Sequence, residues 1–252
     1  MPTSTLTSAL KNEHTKRILH VTGIRRPSLT QRRTPHYRMP KLVANGGYLL
    51  LKKYDGPEIP ESEYEDLVFT TYASDQSTVL APITSATGEI ELRGFEAYGR
   101  PDLDGIWTDN ADKCPTIVSY VESIGARFGR VQLLKMQPNT IRECRWGLHL
   151  DNNNAVNVPD KNGWVVRVWL ELTDDESSSL VVRSSQFDKN SETRIALPRY
   201  QQAVVDSELL YHGGYHRGPG TRYALIVSLE SGPALEKWIE SQLPEPAVAA
   251  AG

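Results

Sequence analysis

Residues 145–151, RWGLHLD, carry an imidazole and a carboxylate two positions apart, His149 and Asp151. On an extended segment positions i and i+2 share a face, so these side chains can hold one metal ion between them. A second imidazole from a distant strand would complete a set of two histidines and one carboxylate on one face of the ion. The other positions would stay open, which is the coordination that suits non-haem Fe(II). His212, in the later stretch ELLYHGGYHRGPGTRYALIVS, is the candidate for that imidazole.

Between His212 and Arg222 lies GGYHRGPGT, a glycine-rich run that reads as a hairpin turn joining two strands. Such a hairpin would bring His212 and Arg222 together. Arginine presents a rigid fork of donors matched to a carboxylate, so Arg222 could hold the far end of a metal-bound keto acid. His216 lies in the turn itself and competes with His212 for the metal. Arg142, Arg145 and Asn152 flank the first motif and are candidates to meet a substrate carboxylate, and they read equally well as solvated loop residues.

His-x-Asp, a distant His and an Arg ten residues beyond it resemble the Fe(II)/2-oxoglutarate-dependent dioxygenases. The branch resembled is that of the aspartyl/asparaginyl β-hydroxylases, which also holds bacterial hydroxylases of free amino acids. The likeness runs from about Lys113 to Glu230, through KCPTIVSYVESI, RVQLLKMQPNT, HLD, VVRVWLEL, SSLVVRS, QQAVVDSELLYHGG and TRYALIVS. It implies Fe(II), 2-oxoglutarate and O2 as the reacting set, with His149, Asp151 and His212 on the metal and Arg222 on the cosubstrate's far carboxylate. It places Arg167 and Trp169 where the family has an arginine and a histidine facing the cosubstrate; indole cannot replace imidazole chemistry, so the second position departs from the pattern. The interval from Pro138 to His149 is longer than in the family because IRECRW is inserted, and no cosubstrate contact is carried over from RVQLLKM. The family interval favours His212 over His216 as ligand and leaves His216 as a polar neighbour or substrate contact. A carboxylate at Asp151 implies hydroxylation rather than halogenation. The implied substrate is a small amino-acid-like molecule, in the biosynthesis of a specialised metabolite. The alternatives are an Asp, Asn or other residue in a peptide or carrier-tethered substrate, and a non-catalytic jelly-roll that binds a metal or ligand.

These residues need a strand-rich frame. WVVRVWLEL, residues 164–172, alternates, with Val165, Arg167, Trp169 and Glu171 on one face and a plain apolar set on the other. Short strands are expected over 47–53, 87–95, 130–136, 178–183, 193–197, 201–206 and 221–229, around His149, and with turn-prone residues between them. Helices are expected near Ser62, over 115–128 and over 234–243. Trp107 reads as a packing anchor or a substrate-side aromatic, with packing favoured. Many short strands with few helices favour a mainly β fold, a double-stranded β-helix of the jelly-roll or cupin kind.

The chain has 252 residues, 39% hydrophobic and 23% charged, enough for one domain with a sizeable core. No apolar run is long enough for a membrane span. Two unpatterned cysteines, Cys114 and Cys144, point to a reduced, cytoplasmic setting. The net charge of -3 hides an asymmetry: residues 1–45 hold nine Lys or Arg against one acid, and the remainder nineteen against thirty. The chain thus divides into a basic arm (1–45), a single jelly-roll domain (46–245) and a tail (246–252). The arm is expected to pack on its own acidic body or on a second copy, as a homodimer. Its composition also imitates an organelle transit peptide. Nucleic acid is disfavoured, since Tyr37 is the only aromatic among the arm's basic residues.

Overall fold

The computed structural model describes residues 39–72, 75–154, 156 and 164–244. The arm up to residue 38 and the tail from 245 lie outside the described residues, so the homodimer, transit-peptide and nucleic-acid readings of the arm lie there too. Among the described residues no helix is long and apolar enough to cross a membrane.

Alternation in the sequence becomes two cores. The strand β7 (Val165–Glu171) is buried along its whole length. Its even positions, with Val131 and Leu133 of β6 (Phe128–Met136) and Leu225, Val227 and Leu229 of β12 (Arg222–Glu230), form one apolar face. After two short helices, α1 (Pro40–Ala44) and α2 (Ser62–Glu65), two longer ones cover that face: α3 (Pro115–Ser123) through Ile117, Tyr120 and Val121, and α5 (Pro233–Gln242) through Leu235, Trp238 and Ile239. Both begin with proline, whose fixed φ suits the first turn. The odd positions of β7 face the other way, and Trp169 joins Leu134, Ala224 and Ile226 in a second core shared with Leu180 and Val182 of β8 (Ser179–Arg183).

The large sheet runs β1-β10-β7-β12-β6-β3-β2 and the small one β11-β8-β9. The remaining strands are β1 (Tyr48–Leu50), β2 (Thr70–Tyr72), β3 (Asp75–Pro82), β4 (Thr84–Ser85) and β5 (Ile106–Trp107), which pair with each other as a two-stranded sheet, β9 (Thr193–Ala196), β10 (Gln202–Val205) and β11 (Tyr211–Tyr215). A bridge from His149 to His212 attaches the His149 segment to the free edge of β11. The seven-stranded sheet packed against the three-stranded one with its His149 segment, all antiparallel, gives the double-stranded β-helix, with its second core between the sheets.

Several expectations need correction. His212 and Arg222 are not on a paired hairpin: β11 belongs to the small sheet, while β12 has both edges filled by β6 and β7. The connecting turn therefore crosses from one sheet to the other. Residues 87–95 form no strand; they run as bends and coil into a short 3-10 turn that begins at Phe95. The helix expected over 115–128 stops at Ser123; Gly125, at φ +69°, turns the chain and β6 begins at Phe128. The insertion IRECRW folds as the short helix α4 (Ile141–Trp146), opened by a capping box between Thr140 and Glu143. Trp107 packs on Phe128 with ring centroids 5.0 Å apart.

Candidate metal centre and its cavity

His149, Asp151 and His212 converge, each offering one ligand atom within 4.8 Å of the others. His149 and His212 exchange backbone hydrogen bonds of 3.2 and 3.0 Å, and the Asp151 N–H donates 2.9 Å to the Ser207 carbonyl. These bonds fix the three backbones, so the side chains meet without long reach. His149 Nε2 stands 3.7 Å from Asp151 Oδ1, and His212 Nε2 3.8 Å from Oδ2. Each Nδ1 faces a carbonyl two residues earlier, Gly147 at 2.9 Å and Leu210 at 3.1 Å. With Nδ1–H donating there, both Nε2 lone pairs turn toward Asp151, the tautomer a metal requires.

The electrostatics agree with that donor set. Burial pushes His212 down to about 4, which leaves it neutral at neutral pH. Burial opposes ionisation of Asp151, yet the Arg167 guanidinium and the two imidazoles hold its carboxyl well below the usual range. Two neutral imidazoles and one carboxylate fit a divalent first-row cation.

Arg167 touches the ligand set directly. Its Nε donates 3.1 Å to Asp151 Oδ2 and its Nη2 2.8 Å to Asn153 Oδ1, while Nη1 is buried without an acceptor. Asn153 Nδ2 in turn reaches Asp151 Oδ2 at 3.3 Å and Ser207 Oγ at 3.1 Å. Asn153 and Ser207 were not singled out in the sequence, since an asparagine in NNN and a serine in a turn carry no periodic signal.

The triad opens on a cavity of about 860 Å³ whose wall includes Arg130, Gln132, Leu134, Trp169, Leu180 and Ile226. Trp169 lies in the wall, with the Arg222 guanidinium 5.8 Å from its ring centroid. Arg222 itself is fully buried and already holds a carboxylate: Nε and Nη2 donate 2.9 and 2.7 Å to Glu171 Oε2. Its Nη1 donates to the carbonyl of Tyr215 at 3.1 Å. Gly214 separates Arg222 from the cavity, and a Cβ there would stand 3.6 Å from Nη1 but only 2.2 Å from Met136 Cε. The alternation of β7 had grouped Glu171 with Arg167 and Trp169 on one face without assigning it a partner.

The candidates for substrate contact lie elsewhere. His216 is fully buried, with Nε2 2.9 Å from the Gly220 carbonyl and Nδ1 2.8 Å from Asp175 Oδ2 and 3.1 Å from Ser178 Oγ. It ties the β11–β12 crossing in place and is outside the metal cluster. Arg145 is paired with Glu192 through two contacts of 2.8 Å. Arg142 and Asn152 are exposed, and none of these four residues lines the cavity.

No family model matches the sequence, and neither does any curated protein. Solved structures do resemble the fold. A 2OG-Fe(II) oxygenase family oxidoreductase from Burkholderia pseudomallei superposes with a TM-score of 0.50 at 15% identity, over 79% of this chain and 92% of that one. A Trichoplax adhaerens prolyl hydroxylase bound to a hypoxia inducible factor peptide gives 0.43 at 14%, over 78% and 89%. HygX from Streptomyces hygroscopicus, with nickel and 2-oxoglutarate bound, gives 0.42 at 10%, over 78% and 88%. At such identities the likeness is one of fold.

Proposed function

We propose that the protein is an Fe(II)- and 2-oxoglutarate-dependent dioxygenase that hydroxylates an unactivated C–H bond of a small amino-acid-like molecule, as the aspartyl/asparaginyl β-hydroxylase-like motifs imply. The observation that carries this is the meeting of His149, Asp151 and His212 at the mouth of a cavity, with both Nε2 atoms turned inward. Bound iron and 2-oxoglutarate would supply, with O2, the oxidising power for the C–H bond.

The chain's own residues supply position and dryness. His149, Asp151 and His212 would hold the ion, and Arg167 with Asn153 engages Asp151 Oδ2, so that Oδ1 is the oxygen free to turn to the metal. The apolar wall of Leu134, Trp169, Leu180 and Ile226 excludes water from the far side. Arg222 is the proposed partner of the cosubstrate's far carboxylate, which reaches it by exchanging with Glu171. The exposure of His149, 53% at the side chain, and of Trp146, at 76%, favours a second reading, a peptide or carrier-tethered substrate docking at the mouth.

Anaerobic titration of the Fe(II)-loaded protein with 2-oxoglutarate tests the proposal. A visible charge-transfer band, absent in His212→Ala and retained in His216→Ala, is the expected result. A protein that binds iron yet gives no band overturns it.

A further inference from the structure

The cavity wall holds polar groups that the metal centre does not use. Three basic residues line it. Lys135 lies over the rings of Phe69 and Tyr223, at 5.0 and 5.7 Å, and Arg167 is bonded to Asp151 and Asn153. Arg130 differs. Its side chain is 17% exposed, and its nearest carboxylates, Asp102 and Glu96, stand at 3.9 and 4.0 Å, beyond hydrogen-bonding distance. Asp102 is engaged by other donors: Oδ1 accepts the Arg130 backbone N–H at 2.7 Å and Oδ2 the Ser228 hydroxyl at 2.9 Å. Among the described residues the guanidinium has charge neighbours but no acceptor for any of its N–H groups.

Two positions along the same strand face, Gln132 shows the complementary deficit. It is 5% exposed, lines the cavity, and its Oε1 is buried without a donor. A buried amide oxygen left unpaired costs about 1–3 kcal/mol, so such an atom inside a cavity wall points to an absent donor. Strand geometry puts the two Cα atoms about 7 Å apart on one face. That spacing suits a donor fork and an acceptor to a group carrying a carboxylate and an ammonium on one carbon.

We propose that Arg130 and Gln132 form the subsite that recognises a free α-amino acid, the guanidinium taking its carboxylate and the Gln132 amide oxygen its ammonium. This rests on the proposed oxygenase reading and names its substrate class: a free amino acid rather than a residue within a peptide, whose carboxyl and amino groups are consumed in amide bonds. Arg130 here is a binding and specificity residue, separate from the ligand set and from Arg222.

The test uses the full chain loaded with Ni(II) and 2-oxoglutarate, which cannot turn over, titrated calorimetrically with each of the twenty L-amino acids and with the amine lacking the carboxylate of any that bind. The expected result is that at least one amino acid binds and its decarboxylated amine does not. Arg130→Met should weaken that binding about tenfold or more while 2-oxoglutarate affinity changes less than about twofold. Arg130→Lys, which keeps the charge beside Asp102 and so guards against a folding defect, should weaken it by an intermediate factor, and Gln132→Leu should weaken it independently. No amino-acid binding by a protein that binds 2-oxoglutarate overturns the proposal, as does binding indifferent to Arg130→Met. A loss confined to 2-oxoglutarate overturns it by assigning Arg130 to the cosubstrate. Failure of the wild-type protein to bind 2-oxoglutarate falls instead on the oxygenase reading.

Discussion

At the scale of single residues, the informative contrast is between two histidines four positions apart. His212 has one nitrogen tied to a carbonyl and one facing a carboxylate, whereas both nitrogens of His216 are engaged by the crossing it stabilises. His212→Ala is therefore expected to lower metal affinity at least about a hundredfold, read by titration with Co(II), while the fold survives. His216→Ala should retain the metal and cost about 2–3 kcal/mol in denaturant unfolding, because it orphans buried polar groups. Arg222 and Glu171 make a second contrast. Glu171→Gln keeps the shape and removes the resident negative charge, so 2-oxoglutarate should bind about tenfold more tightly, or about 1.4 kcal/mol. An unchanged affinity would show that the far carboxylate goes elsewhere. Arg222→Ala leaves a buried carboxylate unpaired and is expected to cost about 3–5 kcal/mol, so its stability must be measured beside any loss of cosubstrate binding.

Elements carry the geometry one step further. The helix α4 leads straight into Gly147 and His149, and its end is pinned to the small sheet by Arg145, Arg183 and Arg194 around Glu192. These arginines hold the Glu192 carboxyl down at about 2, against 4.5 when unfolded. The cluster lies near the surface, and solvent screening limits its contribution to about 1–2 kcal/mol. Because the folded value is the lower one, that stability is present above pH 4.5 and is lost as pH falls toward 2. Glu192→Gln should remove it at neutral pH and flatten the dependence of unfolding free energy on pH between those limits. Thr140→Ala breaks the capping box and should cost about 1 kcal/mol.

For the whole molecule, the candidate ligands come from the two segments that form the edge of the small sheet, and the cavity they face is closed by the large sheet. Metal binding is thus linked to folding of the entire sandwich. Ni(II) at a hundred times its dissociation constant should stabilise the protein by about 2.7 kcal/mol, seen as a chelator-reversible rise in melting temperature. A rise that persists in the His212→Ala variant would place the metal elsewhere.

The residues that could hold a metal were legible in the chain because His-x-Asp on an extended segment fixes a shared face by local geometry. The mainly β frame was legible for the same reason: the two-residue period of WVVRVWLEL is a backbone property, and it separated the core face of β7 from the face carrying Arg167, Trp169 and Glu171, whose direction only the fold decided. The sequence also marked the turn between His212 and Arg222, but its glycines say only that the chain reverses. Which sheet each strand then enters depends on whose edges are free, and β12 had none to offer β11. Partnerships between side chains far apart in sequence were likewise decided in three dimensions. Glu171 filling Arg222, Arg167 bonding Asp151 within the cavity wall, and the Arg130 guanidinium and Gln132 Oε1 left without hydrogen-bond partners among the described residues all follow from burial. Only the folded chain sets which donors and acceptors lose water together, and a group's chemistry is fixed by what replaces that water.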